Sequence, residues 1–479
     1  MKKINKIAIY ASLLVTALAT GCKKEFLEVT PETSIQADQA FTSPDRINAV
    51  LTGIYDLASN SAYTHDMILT SDVKGSDVLI VSGAGNYNRF VTGYQYSQSY
   101  TSAEPLNYWT QAYRIIATCN QFEEKLPPVA SLTAAQKTGY FAETRALRAE
   151  AYFNLVRWFG KPYTVDPEAL GVPITLAPLA LTDVLPLRSK VKEVYAQILA
   201  DLLFAEANIP ATKTSVYRMN KAAIQGYLAR VYLTMGNYTE ASKYAKLARA
   251  AKPLSTGSAL LAGFAAPTSE WIYAINVRTD DNQGFLNVHS FYDPYDIGYS
   301  SFRANDAFFN SFAANDIRKQ QFLVNGVLGA RRGPEGYLIN KFDFRTSAAT
   351  NTVLIRSSEM YLIEAEAEAR LGLANEAAAK AALLAVQGRS IPTAVLSLNT
   401  GQALIDEVLA ERGKELYGEG HKFFDLLRTK TPIVRTATNG HWVALNLPVG
   451  DNRLVFPLPQ AELNANPSLK PQQNPGYAN

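Results

Sequence analysis

The sequence predicts a mainly α protein, a tetratricopeptide-like scaffold of helical hairpins carrying large loop insertions and a few short strands. Three observations predict it. Apolar residues recur at helical spacing through several long segments. Two paired segments place small residues where helices of a hairpin must approach closely. The stretches between them, 73–103, 161–187, 254–303 and 320–353, are long, aromatic and rich in Gly and Asn. Their uneven spacing argues against a uniform solenoid, and ordered loops of that length tend to be functional.

The first segment, MKKINKIAIYASLLVTALATGC, has Lys2, Lys3 and Lys6 ahead of an uncharged apolar run from Ile7 to Ala19, then Thr20 and Gly21 before Cys22. This is the layout of a secretory signal, too short for a permanent spanning helix. The cysteine after small residues resembles a bacterial lipobox, with Leu18 four positions before Cys22 and Ala19 three before. Lipidation of Cys22 would anchor the chain through acyl chains at about 0.8 kcal/mol per buried CH₂. Residues 1–21 are then a signal peptide, 22–43 a lipid-anchored tether, and 44–479 a single domain. Cys119, the other cysteine, then has no intramolecular partner. It lies in an apolar helical segment and reads as an inert buried thiol.

Ser43-Pro44 is an N-cap followed by Pro at the first helical position, with Ile47, Val50, Leu51 and Ile54 behind it. Residues 107–128 form a second helix, ended by Pro127-Pro128. Residues 144–162 form a third, with Ala149, Tyr152, Val156 and Phe159 on one face and Gly160 and Pro162 as its stop. Residues 222–253 read as two helices around Gly236-Asn237. Leu228, Ala229, Tyr232, Gly236, Ala241, Ala248 and Pro253 fit the tetratricopeptide pattern, small residues for close approach and large ones for the groove. Residues 354–383 repeat it around Gly372, and 405–428 form a third pair around Gly418-Glu419-Gly420. Trp271, in the alternating SEWIYAINV, reads as a buried short strand, and Trp109 and Trp158 as core. The tail 453–477, with five prolines, is expected to run extended over the surface.

Composition removes several function classes. Without residues 1–21 the chain carries 43 basic and 43 acidic residues, so it has no basic footprint for nucleic acid. The four histidines, at 65, 289, 421 and 441, show no metal-ligand spacing, and neither HExxH nor CxxC occurs. Phosphate-cradling glycine motifs are absent as well. Glu407, Glu411 and Glu415 lie on one helix face, which cannot flank a substrate as a glycosidase pair must. They are expected to be a solvated charged face.

Five segments resemble, in order along the chain, the SusD/RagB outer-membrane lipoproteins of Bacteroidetes. They are the lipobox with CKKEFLEVTPE; RALRAEAYFNLVRWFG; LARVYLTMGNYTEA; LIRSSEMYLIEAEAEAR; and ERGKELYGEGHKFFDLLR followed by FPLPQAELNANPSLKPQQNPGY. One departure is His421, where the family commonly has Arg; it is expected to be a solvated helix-start residue. The resemblance implies a tetratricopeptide-like SusD fold, an outer-membrane position facing the cell exterior, and a SusC-like TonB-dependent transporter as partner. It also implies capture of oligosaccharide or another nutrient without catalysis.

Two loops stand out as ligand candidates. Residues 83–100 hold Tyr87, Phe90, Tyr94, Tyr96 and Tyr100, and residues 289–302 hold Phe291, Tyr292, Tyr295, Tyr299 and Phe302, where 11% aromatic content gives about two. Sugar rings pair an apolar C–H face with a hydroxyl rim, which an aromatic plate with polar neighbours matches. The expected ligand residues are Tyr87, Asn88, Arg89, Tyr94, Tyr96, Tyr292, Asp293 and Tyr295, in a binding region of about 73–103 and 254–353. Asn86, Gln95 and Asp296 are polar neighbours. No cofactor is expected; a calcium in a surface loop, through Asp280-Asp281 or Asp293/Asp296, is the alternative. The other readings left open are a surface glycoside hydrolase or esterase, a peptide-binding protein, and a purely structural lid of the transporter.

Overall fold

The computed structural model describes residues 39–81, 87–295, 297–324, 327–328, 336–344 and 349–478. Cys22 and the segment before it, most of the tether, Asn86 and Asp296 lie outside these residues. The helices are α1 (Pro44–Ser59), α2 (Asp66–Lys74), α3 (Val91–Gln95), α4 (Ala103–Lys125), α5 (Ala134–Phe159), α6 (Val191–Asn208), α7 (Lys221–Met235), α8 (Tyr238–Arg249), α9 (Gly257–Leu261), α10 (Val288–Tyr292), α11 (Asp306–Asn310), α12 (Ser357–Arg370), α13 (Glu376–Gln387), α14 (Gly401–Glu415), α15 (Lys422–Arg428) and α16 (Gln460–Ala465). The strands are short: β1 (Val78–Ile80), β2 (Trp271–Ile275), β3 (Phe302–Ala304), β4 (Leu323–Val324), β5 (Val327–Leu328), β6 (Thr352–Arg356), β7 (Ile433–Arg435) and β8 (Leu445–Leu447). They pair as four antiparallel two-stranded ribbons, β1 with β3, β2 with β6, β4 with β5 and β7 with β8. The mainly helical fold class expected from the sequence is what the chain adopts. No helix of the described residues is long and apolar enough to cross a membrane.

The hairpin α7–α8 follows the small-residue logic. Ala229, Ala241, Ala245 and Ala248 are buried where the helices meet, and Tyr232 stacks on Tyr244 at 5.7 Å with an 8° interplanar angle. The turn needs Gly236, whose φ of 79° lies in the left-handed region. Bidentate ion pairs tie one helical layer to the next. Arg148 of α5 donates to Asp201 of α6 at 2.9 and 2.8 Å, Arg230 of α7 to Glu359 of α12 at 2.8 and 2.6 Å, and Arg428 of α15 to Glu366 of α12 at 2.6 Å through each nitrogen. Such paired charge-assisted bonds fix orientation as well as contact.

One helix was missed from the sequence, and four expectations are corrected. Helix α6 was not anticipated, although Val191, Val194, Ile198, Leu202 and Ala205 form its buried stripe. The segment from 354 does not begin as helix; its first residues complete strand β6, because Trp271 of β2 offers a pairing edge to Arg356. The proline-rich tail does not simply run extended over the surface; it forms α16 and sends apolar side chains into the core between exposed residues. Phe456 stacks on Trp158 at 4.7 Å, its N–H donates to the Trp158 carbonyl, and Leu458, Leu463 and Leu469 are buried in the main core. Finally, Glu411 and Glu415 are not solvated. Glu415 takes Arg356 at 2.6 Å and Arg318 at 3.0 Å, with Arg389 as a third partner. Burial works against its ionised form, but Arg389, Arg356 and Arg318 outweigh it and hold the carboxyl well below the usual range.

Trp109, Trp158, Trp271 and Cys119 are all buried, as expected. Burial pushes the Cys119 thiol far up, which keeps it out of the reactive thiolate form. His421 is packed inside, beside Arg412 at 3.3 Å; burial and then the Arg412 and Arg230 charges hold its imidazole neutral. It is not the solvated helix start the sequence suggested.

Candidate ligand-binding site

A second hydrophobic cluster, apart from the main helical core, underlies the two aromatic loops. Its ribbon pairs Val78 with Ala304 and Ile80 with Phe302, and so brings the loop after β1 next to the loop before β3.

The first loop alternates anchors with outward residues. Tyr87, Asn88, Phe90 and Tyr96 all have positive φ, at 54°, 56°, 62° and 55°. Left-handed non-glycine residues cost on the order of 1–3 kcal/mol each and persist only where packing over-determines them. The anchors supply that packing. The Phe90 ring meets Phe291 at 5.2 Å and Phe302 at 5.6 Å. Tyr94 stacks on Trp442 at 5.1 Å, and its hydroxyl lies 2.7 Å from His441 Nδ1. The Tyr96 hydroxyl donates to the Lys74 carbonyl, while the Lys74 ammonium sits 3.8 Å from the centre of its ring. Arg435 of β7 then donates to the carbonyls of Gly75 at 2.9 Å and Tyr94 at 2.5 Å, and to that of Val73. With Phe90, Tyr94 and Tyr96 pinned inward, Tyr87, Asn88 and Arg89 face solvent, Tyr87 being 77% exposed.

The second loop is organised the same way. Tyr292 stacks on Phe342 at 4.5 Å and donates to Asp72 Oδ2 at 2.7 Å. Burial raises the Asp72 carboxyl to about 7, against the opposing bonds from Tyr292 and the Gly420 N–H. Asp293 accepts from the N–H groups of Tyr295, Ile297 and Gly298 at 3.1, 2.7 and 2.8 Å. It is a buried turn-former. Asp280, on the neighbouring loop, is paired with Arg278 at 2.7 Å. Among the described residues no group of three or more His, Cys, Asp or Glu is placed to hold a metal.

Four of the expected ligand residues are therefore corrected. Tyr94, Tyr96, Tyr292 and Asp293 lie inside the protein, spent on stacking and internal hydrogen bonds. They hold the loops in shape and present no face to a ligand. Tyr87, Asn88 and Arg89 remain exposed, and Tyr295 is half-buried. What the fold adds is Tyr299. Tyr87 meets it edge to face at 6.3 Å, the Arg89 guanidinium lies 5.8 Å from its ring centre, and Phe285, 53% exposed, closes on it at 5.9 Å. The two loops thus form one exposed aromatic face with an arginine and an asparagine at its edge. Phe285 was missed by reading the sequence; a lone Phe beside Gly284, in an otherwise polar turn, was the available sign.

Chemically, this face can pack against C–H groups and offer hydrogen bonds to hydroxyls.

Two family models match the chain. One, described as starch-binding associating with outer membrane, covers residues 25–233, and the other, described as the SusD family, covers residues 330–477. A SusD-like protein of Formosa agariphila is 25% identical over 532 aligned positions, which span all of both chains. Among solved structures, a SusD superfamily protein of Bacteroides thetaiotaomicron is 27% identical with a TM-score of 0.81, over 90% of this chain and 99% of its own. One from Bacteroides vulgatus is 27% identical with a TM-score of 0.82, over 91% and 100%. A laminarin-binding SusD-like protein shares the fold, at 23% identity and a TM-score of 0.67 over 91% and 100%.

Proposed function

The chain belongs to the SusD/RagB family, and from that membership we propose that it captures oligosaccharides at the outer membrane and passes them to a SusC-like TonB-dependent transporter. The observation that carries the binding half of this reading is the exposed face of Tyr87, Tyr299 and Phe285 flanked by Arg89. Aromatic plates set on rigid anchors suit a sugar's apolar face, and pre-organisation spares the cost of ordering them on binding. Lipidation at Cys22 supplies the anchor in this reading, with the binding face toward the cell exterior. Capture takes place without bond cleavage.

The test is affinity electrophoresis and calorimetry of the chain without residues 1–22 against starch, xylan, laminarin and host-type glycans. Saturable binding without release of reducing sugar supports capture. Turnover by the isolated protein would replace the reading with a surface hydrolase. No binding to a broad panel would leave the family assignment standing and move the ligand class to peptides. The anchor is tested separately: Cys22→Ala should release the protein from the membrane fraction. Co-purification with a TonB-dependent transporter tests the partner.

A further inference from the structure

A cleft of about 330 Å³ opens between the C-terminal half of α1, the segment before α7 and strand β2, and neither Tyr87, Tyr299 nor Phe285 lines it. Its volume is at the low end for ligand pockets, which run about 300–1,000 Å³. Three tyrosines line it, Tyr55, Tyr217 and Tyr273, and Asn276 stands at its mouth.

Two of the residues that line it, Glu150 and Arg218, each leave one polar atom without a hydrogen-bond partner. Glu150 is 8% exposed. Its Oε1 accepts from the Tyr227 hydroxyl at 2.5 Å, while its Oε2 is buried and unbonded. Arg218 donates through Nε to Glu143 at 2.7 Å and lies over the Tyr55 ring at 4.8 Å, but its Nη2 is buried and unbonded. A buried polar atom left unpaired is costly, so two that line one cleft mark a place built to receive hydrogen bonds.

The complementary ligand has definite chemistry. It must accept from a guanidinium, bond a carboxyl oxygen, and present apolar surface to phenol rings. A hydroxyl both donates and accepts, and a sugar ring adds the C–H face. Charge points to a neutral ring. Glu143 already meets the Arg218 cation, and burial raises the Glu150 carboxyl to about 7, where it can donate as an acid. A uronate or phosphate would bring a second anion to an arginine that Glu143 already neutralises.

We propose that this cleft is a second saccharide site, which takes a single neutral sugar ring between Glu150 and Arg218. This rests on the reading of the protein as a glycan binder, and the experiment separates the two. Saturation-transfer NMR on the full chain would titrate glucose, galactose, mannose and xylose as probes. Asn276→Trp fills the mouth from an exposed position, and Glu150→Gln keeps the acceptor for Tyr227. The expected result is a saturable signal for at least one monosaccharide, weakened about tenfold or more by Asn276→Trp, which blocks entry, and retained by Glu150→Gln, whose amide donates where the protonated carboxyl did. No saturable signal from any of the four overturns the proposal, and so does a signal that Asn276→Trp leaves intact. If oligosaccharides still bind the wild-type chain in that case, the second site falls and the reading of the aromatic face survives. If neither class of sugar binds, both fall.

Discussion

Tyr87 and Tyr299 meet edge to face with ring centroids 6.3 Å apart, from loops in opposite halves of the chain. One is pinned by Phe90 and Tyr94, the other by Phe291 at 4.9 Å, so neither loop presents this face alone.

Tyr87→Ala and Tyr299→Ala should each weaken oligosaccharide binding about tenfold, the worth of roughly 1–1.5 kcal/mol of ring contact. Tyr87→Ala should leave thermal stability nearly unchanged, since its side chain is exposed and surface substitutions stay within about 0.5 kcal/mol. Calorimetric titration with a thermal melt checks both. Undiminished affinity in both variants would remove this face as the site.

Arg435 acts on the same loop without touching a ligand. Arg435→Gln should leave the carbonyls of Val73, Gly75 and Tyr94 without their shared donor, and free the strained left-handed residues to relax. Hydrogen exchange should accelerate across residues 91–96 more than in α5 or α7. Equal acceleration everywhere would indicate global destabilisation instead.

Removing one partner from the buried Glu415 cluster should be severe. Glu415→Ala removes the carboxylate that Arg318, Arg356 and Arg389 share, and breaking a buried ion pair from one side costs about 3–5 kcal/mol. Urea unfolding should show it as a lowered midpoint. A loss under 1 kcal/mol would mean the remaining acids, Glu270, Asp316, Glu411 and Glu419, absorb the charge.

Glu150 gives a pH signature. Burial raises its folded value from 4.5 to about 7, so the native state keeps a proton that the unfolded chain has released. Its contribution to stability is full below pH 4.5 and is lost as pH rises through about 7. Relative to the parent, Glu150→Gln should therefore gain about 3 kcal/mol between those limits, read from urea unfolding at each end. A difference that does not change with pH would place the group's folded pKa near its ordinary value.

Cys119 should resist thiol reagents in the native protein and react once denatured, because burial suppresses the thiolate. Rapid native labelling at Cys119 would contradict its place between α4 and its neighbours.

Much of this molecule is determined by the sequence alone. Helical periodicity, the Gly236 turn and the alanines of α7–α8 are local consequences of side-chain size and backbone freedom, and they declare the helical class without any partner in view. The ordered set of five segments declares the family. The concentration of aromatic residues in two loops declares where a binding face is to be sought. Which of those rings face out was not legible. Tyr87 and Tyr94 are the same residue type in the same loop, and only the stacking of Tyr94 on Trp442 and the Arg435 bonds to the backbone, made by residues more than half the chain away, turn one inward and leave the other in solvent. The same holds for Glu411 and Glu415, which look like a wet helix face until Arg318, Arg356 and Arg389 arrive from other elements to neutralise them. Sequence fixes periodicity because it acts between near neighbours. Exposure and charge state depend on contacts across the fold, and only the tertiary structure decides them.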